Sequence, residues 1–321
     1  MLSKRALLAG LSASVLASKS AWSAWPERPI TLLHGFAPGG GADATARIAA
    51  DGLSKLLGQA VLVESKAGAG TTLAAAQLAR ASADGHTISL VTSTYAASAA
   101  LYKKLPYRPV EDITGVSLLT ESPYLIACNA EHPAQTLRQM VDLAKAQTGG
   151  VTYGTPGVGS AQHLMMELMG QIAGVKFTHV PFRGGAQAVV EVLARRIDFM
   201  VDPPLSMIEH VRSGKFRSLA VTTARRFPAF PDTPTVAEAA FPGFAAPAWF
   251  GLVAPAGVPA DIIQRLNAAC ATVLADGAVR EKIRTLGAEA RASSPKEITD
   301  LIVSDIKRWT EVIDKASIER I

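Results

Sequence analysis

Cysteine, aromatic residues and charged residues are all scarce in this sequence of 321 residues. It contains two cysteines, 6% aromatic residues and 18% charged residues. Cys128 ends a strand-like run and Cys270 lies in a helical one, so we expect two buried free thiols, with one disulfide as the alternative. The six histidines are dispersed, and no cysteines or histidines have the spacing of a metal site. The sequence therefore predicts no metal and no other cofactor.

Net charge is also low, because the formal +5 includes three basic residues near the N-terminus. Without Lys4, Arg5 and Lys19 the chain carries about +2, and its other basic residues are scattered. A nucleic-acid-binding protein needs a concentrated basic surface to contact phosphates. The composition therefore excludes a nucleic-acid partner.

The first 23 residues have the pattern of a secretory signal peptide. Met1–Arg5 is a short basic start, and the apolar run 6–17 is too short to span a bilayer. Ala21 and Ser23 place small residues before the expected cleavage site. We expect residues 1–23 to be removed and the mature chain to be exported to the periplasm. A buried N-terminal helix is the alternative, and the Lys-Arg pair leaves Sec and twin-arginine export both open.

Short β-rich runs alternate with helical patterns along the rest of the chain, which is typical of βαβ units and a mainly parallel sheet. Strands are expected at residues 30–36, 60–64, 87–92, 115–119, 124–128, 151–153, 177–181, 197–201, 217–222 and 249–254. Helices are expected from about residue 43, at 72–81, 136–147, from 160, and at 186–195, 205–211, 261–274, 278–286 and 295–315. Nearly half of the residues are apolar, which is enough for two cores.

The stretch 227–247 is rich in proline, and its apolar residues do not recur with a helical or strand period. We therefore expect it to be a connection from a second lobe back to the first. We expect an α/β fold with two lobes, each a mainly parallel sheet flanked by helices. Lobe 1 would comprise residues 24–124 plus 245–321, and lobe 2 residues 125–244. Two crossings, near 124 and 245, make a hinge and a cleft that can close on a ligand.

A glycine-rich turn joins the first strand to the first helix. Its candidate binding residues are Phe36, Pro38, Gly39, Gly40, Gly41 and Asp43. Ligands of open α/β sheets gather at this edge, and helix N-termini there present unpaired N–H groups suited to a carboxylate. Asp43 is expected to be the N-cap, with ligand contact as the alternative. Phe36 either walls the pocket or joins the core.

A second glycine-rich turn follows the strand at 151–153. Its candidate residues are Thr155, Gly157, Val158, Gly159, Ser160 and His163. Ser160 occupies the place of the P-loop lysine, and Gln162 that of the last glycine of a nucleophile elbow, so neither motif is complete. A neutral anion-binding turn remains, with Ser160 as the expected N-cap. His163 is either packed, exposed or a ligand contact.

Asp202 and Arg183 each follow a predicted strand of the second lobe. Pro203 and Pro204 come directly after Asp202, which suits an N-cap followed by proline. A cleft-facing position for Asp202, contacting a ligand amine or hydroxyl, is equally open. Arg183 either steers an anion or lies at the surface, and we favour the surface.

Seven segments, in order, resemble the signatures of the Bug/TctC extracytoplasmic binding receptors, the solute-binding components of tripartite tricarboxylate transporters. They are FAPGGGAD, LYKKLPYRPVED, YGTPGVGSAQHL, HVPFRGG, RIDFMVD, LAVTTARRFPAFPDTPTVAEA and WFGLVAPAGVP. They extend over essentially the whole mature chain. Seven ordered motifs are far more specific than any single glycine turn.

The resemblance implies a two-lobed periplasmic binding protein of type II, the Venus flytrap, with a small carboxylate as its ligand. It implies a clamp on one carboxylate by residues 36–41 and 155–160. Selectivity would come from Asp202 and from the 92–95 loop, which contains Thr94 and Tyr95. It also implies membrane transporter components as partners; a monomer is our default expectation.

Three positions depart from the usual family pattern. His34-Gly35 replaces a Val-Pro-like pair, Val201–Pro204 replaces a Phe-Asp-Asn motif, and residues 67–71 lack an expected Asn. These departures concern the ligand and not the fold. Because the cleft motifs contain no arginine cluster, we expect a mono- or dicarboxylate, including acidic amino acids and aromatic acids.

Two other functions remain as alternatives. An exported serine hydrolase would use Ser160 with His163 and a distant aspartate, although the sequence has no oxyanion-hole pattern. A ligand-sensing protein would dock on a membrane signalling receptor and would use the same closed lobes. The sequence favours a binding protein without catalytic activity.

Overall fold

The computed structural model describes residues 25–147, 149–315 and 317–321. The predicted signal peptide, residues 1–23, lies outside these described residues. Within them, none of the helices is both long enough and apolar enough to cross a membrane.

The strands form two separate sheets, one in each lobe. They are β1 (Ile30–His34), β2 (Val61–Ser65), β3 (Thr87–Thr92), β4 (Ile113–Ser122), β5 (Leu125–Asn129), β6 (Val151–Thr155), β7 (Phe177–Pro181), β8 (Phe199–Asp202), β9 (Phe216–Val221), β10 (Ala248–Pro255) and β11 (Glu289–Ala290). The order is β11-β4-β10-β3-β1-β2 in lobe 1 and β7-β6-β8-β5-β9 in lobe 2.

Helices cover the faces of both sheets. They are α1 (Gly41–Leu57), α2 (Thr72–Ala79), α3 (Ser93–Leu101), α4 (Leu137–Ala146), α5 (Ala161–Ala173), α6 (Gly185–Leu193), α7 (Ile208–Arg212), α8 (Val236–Ala239), α9 (Ala260–Ala275), α10 (Gly277–Thr285) and α11 (Pro295–Lys315). The predicted two-lobed α/β fold is confirmed.

Both sheets are mixed rather than mainly parallel. In lobe 1, β1 pairs parallel with β2 and β3, whereas β10 runs antiparallel to β3 and β4. In lobe 2, β6 pairs parallel with β7 and β8, whereas β5 runs antiparallel to β8 and β9. The antiparallel strands β5 and β10 are those that enter each lobe from the other one. They lack the helical crossover within their own sheet that joins parallel neighbours.

The two chain crossings lie side by side and are hydrogen-bonded to each other. Only residues 123–124 separate β4 from β5, and the return passes from Thr222 to Ala246. The Thr222 N–H donates to the Tyr124 carbonyl at 3.0 Å, and the Ala246 N–H donates to the Thr222 carbonyl at 2.8 Å. The Thr222 hydroxyl accepts from the Tyr124 N–H and donates to the Ala246 carbonyl, both at 2.8 Å. The division at residues 124 and 245 remains a prediction.

Several local predictions need correction. Residues 92–95, expected as a loop, are the N-cap Thr92 and the first residues of the alanine-rich helix α3. This helix has no amphipathic pattern by which the sequence could have indicated it. The connection 227–247 contains the short helix α8, with a capping box between Thr235 and Glu238. In α1, small alanines and Leu53 supply most of the buried face, and Leu56 is 48% exposed. Cys128 and Cys270 are buried and unpaired, as expected.

Candidate functional site

A cavity lies between the lobes, where the ends of β1, β3 and β8 meet the first turns of four helices. About 400 Å³ of its space is not filled by atoms, including space open to solvent, but the volume available to the centre of a water-sized sphere is only about 30 Å³. The described residues that line it are Phe36, Ala37, Gly40, Gly41, Ala42, Thr92, Thr94, Tyr124, Pro156, Gln162, Gly184, Gly185, Asp202, Pro203 and Phe250. This lining includes no Lys, Arg or His, so an anion bound here depends on N–H and hydroxyl donors.

The N-terminus of α1 opens directly into the cavity. Gly40 is the N-cap and has no side chain to occupy the first-turn N–H groups. Those N–H groups have no acceptor inside the helix and lie at the positive end of its dipole. Since Gly40, Gly41 and Ala42 all line the cavity, lobe 1 presents an uncapped helix N-terminus to it.

The predicted N-cap role of Asp43 is wrong, because Asp43 lies inside the first turn of α1. Its Oδ2 accepts a hydrogen bond from the Gly39 N–H at 3.1 Å and from Arg47 Nε at 3.0 Å. Burial raises the pKa of the Asp43 carboxyl, but the hydrogen bonds from Arg47 and Gly39 outweigh burial and hold the pKa below its usual value. Asp43 therefore fixes the loop before the helix.

The N-terminus of α6 is the second uncapped helix end, and it belongs to lobe 2. Gly184 is its N-cap, again without a side-chain hydrogen bond, and Gly185 begins the helix. A Cβ atom at Gly185 would lie 1.8 Å from Asp202 Oδ2, so any larger residue would displace that carboxylate. The two uncapped N-termini thus line one cavity from opposite lobes.

The helices α3 and α5 also begin at the cavity, but their N-termini are capped. Thr92 Oγ1 accepts from the Thr94 N–H at 3.1 Å, and Ser160 Oγ accepts from the His163 N–H at 3.2 Å. The predicted N-cap role of Ser160 is therefore confirmed. The Ala161 N–H donates across the lobe boundary to Thr94 Oγ1 at 3.4 Å. These donors are occupied within the protein and are less available to a ligand.

Asp202 ends β8 and faces the cavity, with a relative exposure of 5%. Its Oδ1 accepts from Gln162 Nε2 at 3.0 Å and its Oδ2 accepts from Ser206 Oγ at 2.8 Å. Of the two alternatives left open for Asp202, the cleft-facing position is the one observed, because Pro203 and not Asp202 caps the following 3-10 turn. Burial raises the pKa of Asp202 to about 7, while the hydrogen bonds from Ser206 and Gln162 oppose that rise. Asp202 can therefore gain or lose a proton near neutral pH.

The cleft widens outward from this cavity into a space of about 270 Å³, measured with the same water-sized sphere. Phe36, Thr94 and Pro156 line both parts. The outer part adds residues 68–71 of lobe 1 and Gly157, Val158 and Arg183 of lobe 2. Arg183 is exposed, as expected, and stands at the rim.

The structure brings five predicted residues to the inner cavity and two to the outer part. The inner five are Phe36, Gly40, Gly41, Thr94 and Asp202, and the outer two are Gly157 and Val158. Pro38, Gly39, Asp43, Tyr95, Thr155, Gly159, Ser160 and His163 line neither part.

Those eight residues support the loops or belong to the core. The Tyr95 hydroxyl donates to the Pro109 carbonyl at 2.8 Å, and its ring stacks on Tyr107. Thr155 Oγ1 lies 2.7 Å from His179 Nε2, and the His163 ring stacks on His179 with 4.3 Å between centroids. These contacts direct their side chains away from the cavity.

Gly184, Gly185, Gln162, Tyr124 and Phe250 line the cavity but are absent from the predicted site. The Gly-Gly pair does follow a strand and precede a helix, which is the signal that identified the other two turns. Tyr124 and Phe250 come from strand ends at the hinge, where no local pattern distinguishes a cavity residue from a core residue.

A larger groove lies between α5, residues 240–246 and α11. Its lining is mostly apolar and includes Leu168, Ile172, Phe241 and Trp309. Its one cation, Arg308, lies 3.1 Å from Asp305. An apolar surface whose only charge is already paired is unsuited to a carboxylate, so the inner cavity is the better candidate.

Comparison with known proteins identifies a family along nearly the whole chain. Residues 45–318 match the family described as "Tripartite tricarboxylate transporter family receptor". The chain is 33% identical over 307 residues to Protein BugT of Bordetella pertussis, which covers 95% of this chain and 93% of BugT.

Two solved structures from Rhodopseudomonas palustris are similar to the chain in fold and sequence. A protein bound to adipate has a TM-score of 0.88 at 32% identity, covering 92% of this chain and all of that one. MatC with bound malate has a TM-score of 0.86 at 35% identity, covering 90% of this chain and all of MatC.

Proposed function

Because the chain belongs to the tripartite tricarboxylate transporter receptor family, we propose that it captures a small carboxylate and delivers it to the membrane components of such a transporter. Members of this family are periplasmic solute-binding proteins. We propose the periplasm as its location, with residues 1–23 removed as a signal peptide, and a monomer as its working state.

The observation that carries this proposal is the pair of uncapped helix N-termini at one cavity. Gly40 and Gly184 come from different lobes, and neither helix has a side-chain cap. A carboxylate placed between them would accept hydrogen bonds from the first-turn N–H groups of both helices, one in each lobe. Binding would then favour the closed arrangement of the lobes, because only that arrangement supplies both sets of donors.

We propose a ligand with one or two carboxylates. No lysine or arginine belongs to the described inner lining, so a highly charged tricarboxylate would lack compensating cations. Acidic amino acids and aromatic acids stay within this class. The adipate and malate bound by the two similar R. palustris proteins support it.

The contacts around Ser160 favour binding over catalysis. Its Oγ accepts from the backbone N–H of His163, and the His163 ring instead accepts at Nδ1 from the Gly159 N–H at 3.4 Å. Activation of a serine needs a base within hydrogen-bond reach of its hydroxyl. In the described structure no hydrogen bond joins the Ser160 hydroxyl to the His163 imidazole.

Gly40→Asp tests the carboxylate site without disturbing the helix. Gly40 has an extended backbone, and a Cβ there would meet nothing within 4 Å. Aspartate is a favoured N-cap, so the thermal midpoint should stay the same or rise. Its carboxylate would occupy the first-turn N–H groups and repel the ligand, and affinity should fall at least about tenfold.

Gly277→Asp is the control, because Gly277 likewise lies at a helix N-terminus in open space, as the first residue of α10 and outside the cavity lining. Calorimetric titration with mono- and dicarboxylates gives the affinities of both variants and the parent. Full affinity in Gly40→Asp would contradict the carboxylate site. Normal uptake of the bound acid by cells lacking this protein would contradict the transport role and leave the binding role intact.

A further inference from the structure

The inner cavity has a second polar wall that differs in character from the two helix N-termini. It consists of Asp202 at the end of β8 and Gln162 in the first turns of α5, which are 5% and 3% exposed. Both residues line the same cavity as Gly40 and Gly184. A ligand held by the helix N-termini therefore lies within reach of this wall.

The Asp202 carboxylate has only neutral partners. Its two hydrogen bonds come from the Gln162 amide and the Ser206 hydroxyl, and within the described residues no Lys, Arg or His pairs with it. A buried carboxylate can accept more than two hydrogen bonds and is also stabilised by a cation. Beyond Gln162 and Ser206, the described residues supply Asp202 with neither another side-chain donor nor a cation. This wall can accept more hydrogen bonds than the protein provides.

Gln162 leaves a second acceptor open. Its Nε2 donates to Asp202, and its Oε1 is buried without any hydrogen-bond partner among the described residues. With the carboxylate as acceptor, the amide nitrogen must face Asp202, so the oxygen remains for another group. An unsatisfied buried carbonyl costs free energy that a ligand donor would recover.

Donors and acceptors lie close together in this cavity. A Cβ atom on Gly185, the first residue of α6, would lie 1.8 Å from Asp202 Oδ2. The first-turn N–H groups of α6 therefore lie directly beside the acceptor wall, so a ligand group that reaches the wall must be close to the bound carboxylate.

Given the proposed carboxylate-binding function, on which this rests, we propose that the ligand carries a hydroxyl or ammonium group close to its carboxylate, and that Gln162 and Asp202 accept hydrogen bonds from it. A hydroxyl would donate to Gln162 Oε1 or Asp202. An ammonium would donate to both and would also pair with the ionised carboxylate. Plain acids of the same chain length would leave both acceptors unsatisfied.

The test compares acids that differ only in this group. Calorimetry with the unmodified mature chain would use three series: propionate, lactate and alanine; succinate, malate and aspartate; and glutarate, 2-hydroxyglutarate and glutamate. In the series that fits the cavity, a substituted acid should bind at least about tenfold more tightly than the plain acid.

Two variants assign the discrimination to the wall. Gln162→Met should bring the affinity ratio of substituted to plain acid towards one, whereas Gln264→Met, the same change at an exposed position of α9, should leave the ratio unchanged. Asp202→Asn distinguishes a hydroxyl ligand from an ammonium ligand, because it removes the negative charge of the wall at nearly constant shape. An ammonium ligand should then lose far more affinity than a hydroxyl ligand.

Binding of plain acids as tight as their substituted partners in every series would overturn this inference and leave the proposed function intact. Failure of every acid to bind would overturn both. If Gln162→Met does not fold, Asp202→Asn and the three ligand series decide the matter without it. A ratio unchanged in a folded Gln162→Met would also overturn the role of Gln162.

Discussion

His34 Nε2 lies 3.3 Å from Asp43 Oδ1, so a fully buried histidine at the end of β1 contacts the first turn of α1. On its other side, His34 Nδ1 accepts from the Phe36 N–H at 3.4 Å, which places the proton of the neutral ring on Nε2, facing Asp43. Burial lowers the pKa of His34, with Asp43 opposing that effect, and keeps the ring neutral. The loop that leads to Gly40 is thus held at both ends.

Replacing His34 should therefore loosen the carboxylate site. His34→Leu fills the same buried position with an apolar side chain, leaves the Phe36 N–H without its acceptor and removes the close contact with Asp43 Oδ1. We expect a loss of about 1–3 kcal/mol in the free energy of unfolding and a several-fold loss of ligand affinity. Urea denaturation and calorimetry measure both. His210→Leu, where no side-chain hydrogen bond is present among the described residues, is the control, and equal effects in the two variants would contradict the role of His34.

The pKa of Asp202 predicts a variant that is more stable than the parent. The folded-state pKa of about 7 lies above the usual 3.8, so the buried carboxyl destabilises the fold increasingly as pH rises from about 4 to 7. Asp202→Asn removes that cost. The stability gain over the parent should grow by about 3 kcal/mol between pH 5 and pH 8.

Urea denaturation of the ligand-free protein at several pH values measures this gain. Asp261→Asn, at an exposed position in α9, should show no such trend. A difference between Asp202→Asn and the parent that is constant with pH would show that Asp202 does not titrate in this range.

The stacked pair His163 and His179 predicts a loss of stability in acid. Burial lowers the pKa of His163 to about 4 and that of His179 to about 3, with the charge of His163 adding to the second shift. The unfolded chain takes up these protons near pH 6.5, and the folded chain does not. Stability should therefore fall as pH drops from about 6.5 to 4, by about 1.4 kcal/mol per pH unit for each ring, with Asp202 opposing part of the loss.

His163→Phe should reduce that slope by about one ring's share while keeping an aromatic ring against His179. The slope comes from the free energy of unfolding measured at pH 4.5, 5.5 and 6.5. Equal slopes for His163→Phe and the parent would mean that the pKa of His163 is the same in the folded and the unfolded chain, which would contradict the effect of burial.

Gly35 should tolerate no side chain. A Cβ atom there would lie 2.5 Å from the Cβ and 2.7 Å from the Cα of Thr71, whose own backbone is left-handed with φ 74°. Gly35→Ala would push the 68–71 loop out of the outer cleft and should cost about 1–3 kcal/mol. Thermal unfolding beside Gly277→Ala, a change into open space, checks this. A parent-like midpoint for Gly35→Ala would contradict the close approach of Thr71.

Much of the fold follows from local pattern. The strands at Thr87–Thr92 and Phe177–Pro181 and the helix at Pro295–Lys315 have the predicted bounds. The helix α11 repeats with a clear period, because one of its faces is buried, whereas β3 is a short apolar run that is buried almost throughout. The helix α3 is not predicted, because it is buried on nearly all sides and its apolar residues therefore show no helical period.

The three glycine turns show which features of the site the local sequence pattern does not predict. All three turns, before α1, α5 and α6, combine glycines with a strand end and a helix start. The second is filled from within, because Ser160 caps α5 and Thr94 of the other lobe accepts from Ala161. The third, at Gly184, stays open. The cap at Ser160 lies within its own turn and is predicted from the sequence, whereas the contact with Thr94 depends on how the two lobes meet.

The sequence by itself determined the family, the alternation of strands and helices and the first glycine turn, because motifs, periods and backbone freedom are properties of neighbouring residues. Only the tertiary structure decided which helix ends stay uncapped and which polar atoms stay unsatisfied. Asp202, Gln162 and Gly185 meet from three separate elements of lobe 2, and their burial, hydrogen bonds and pKa depend on that meeting.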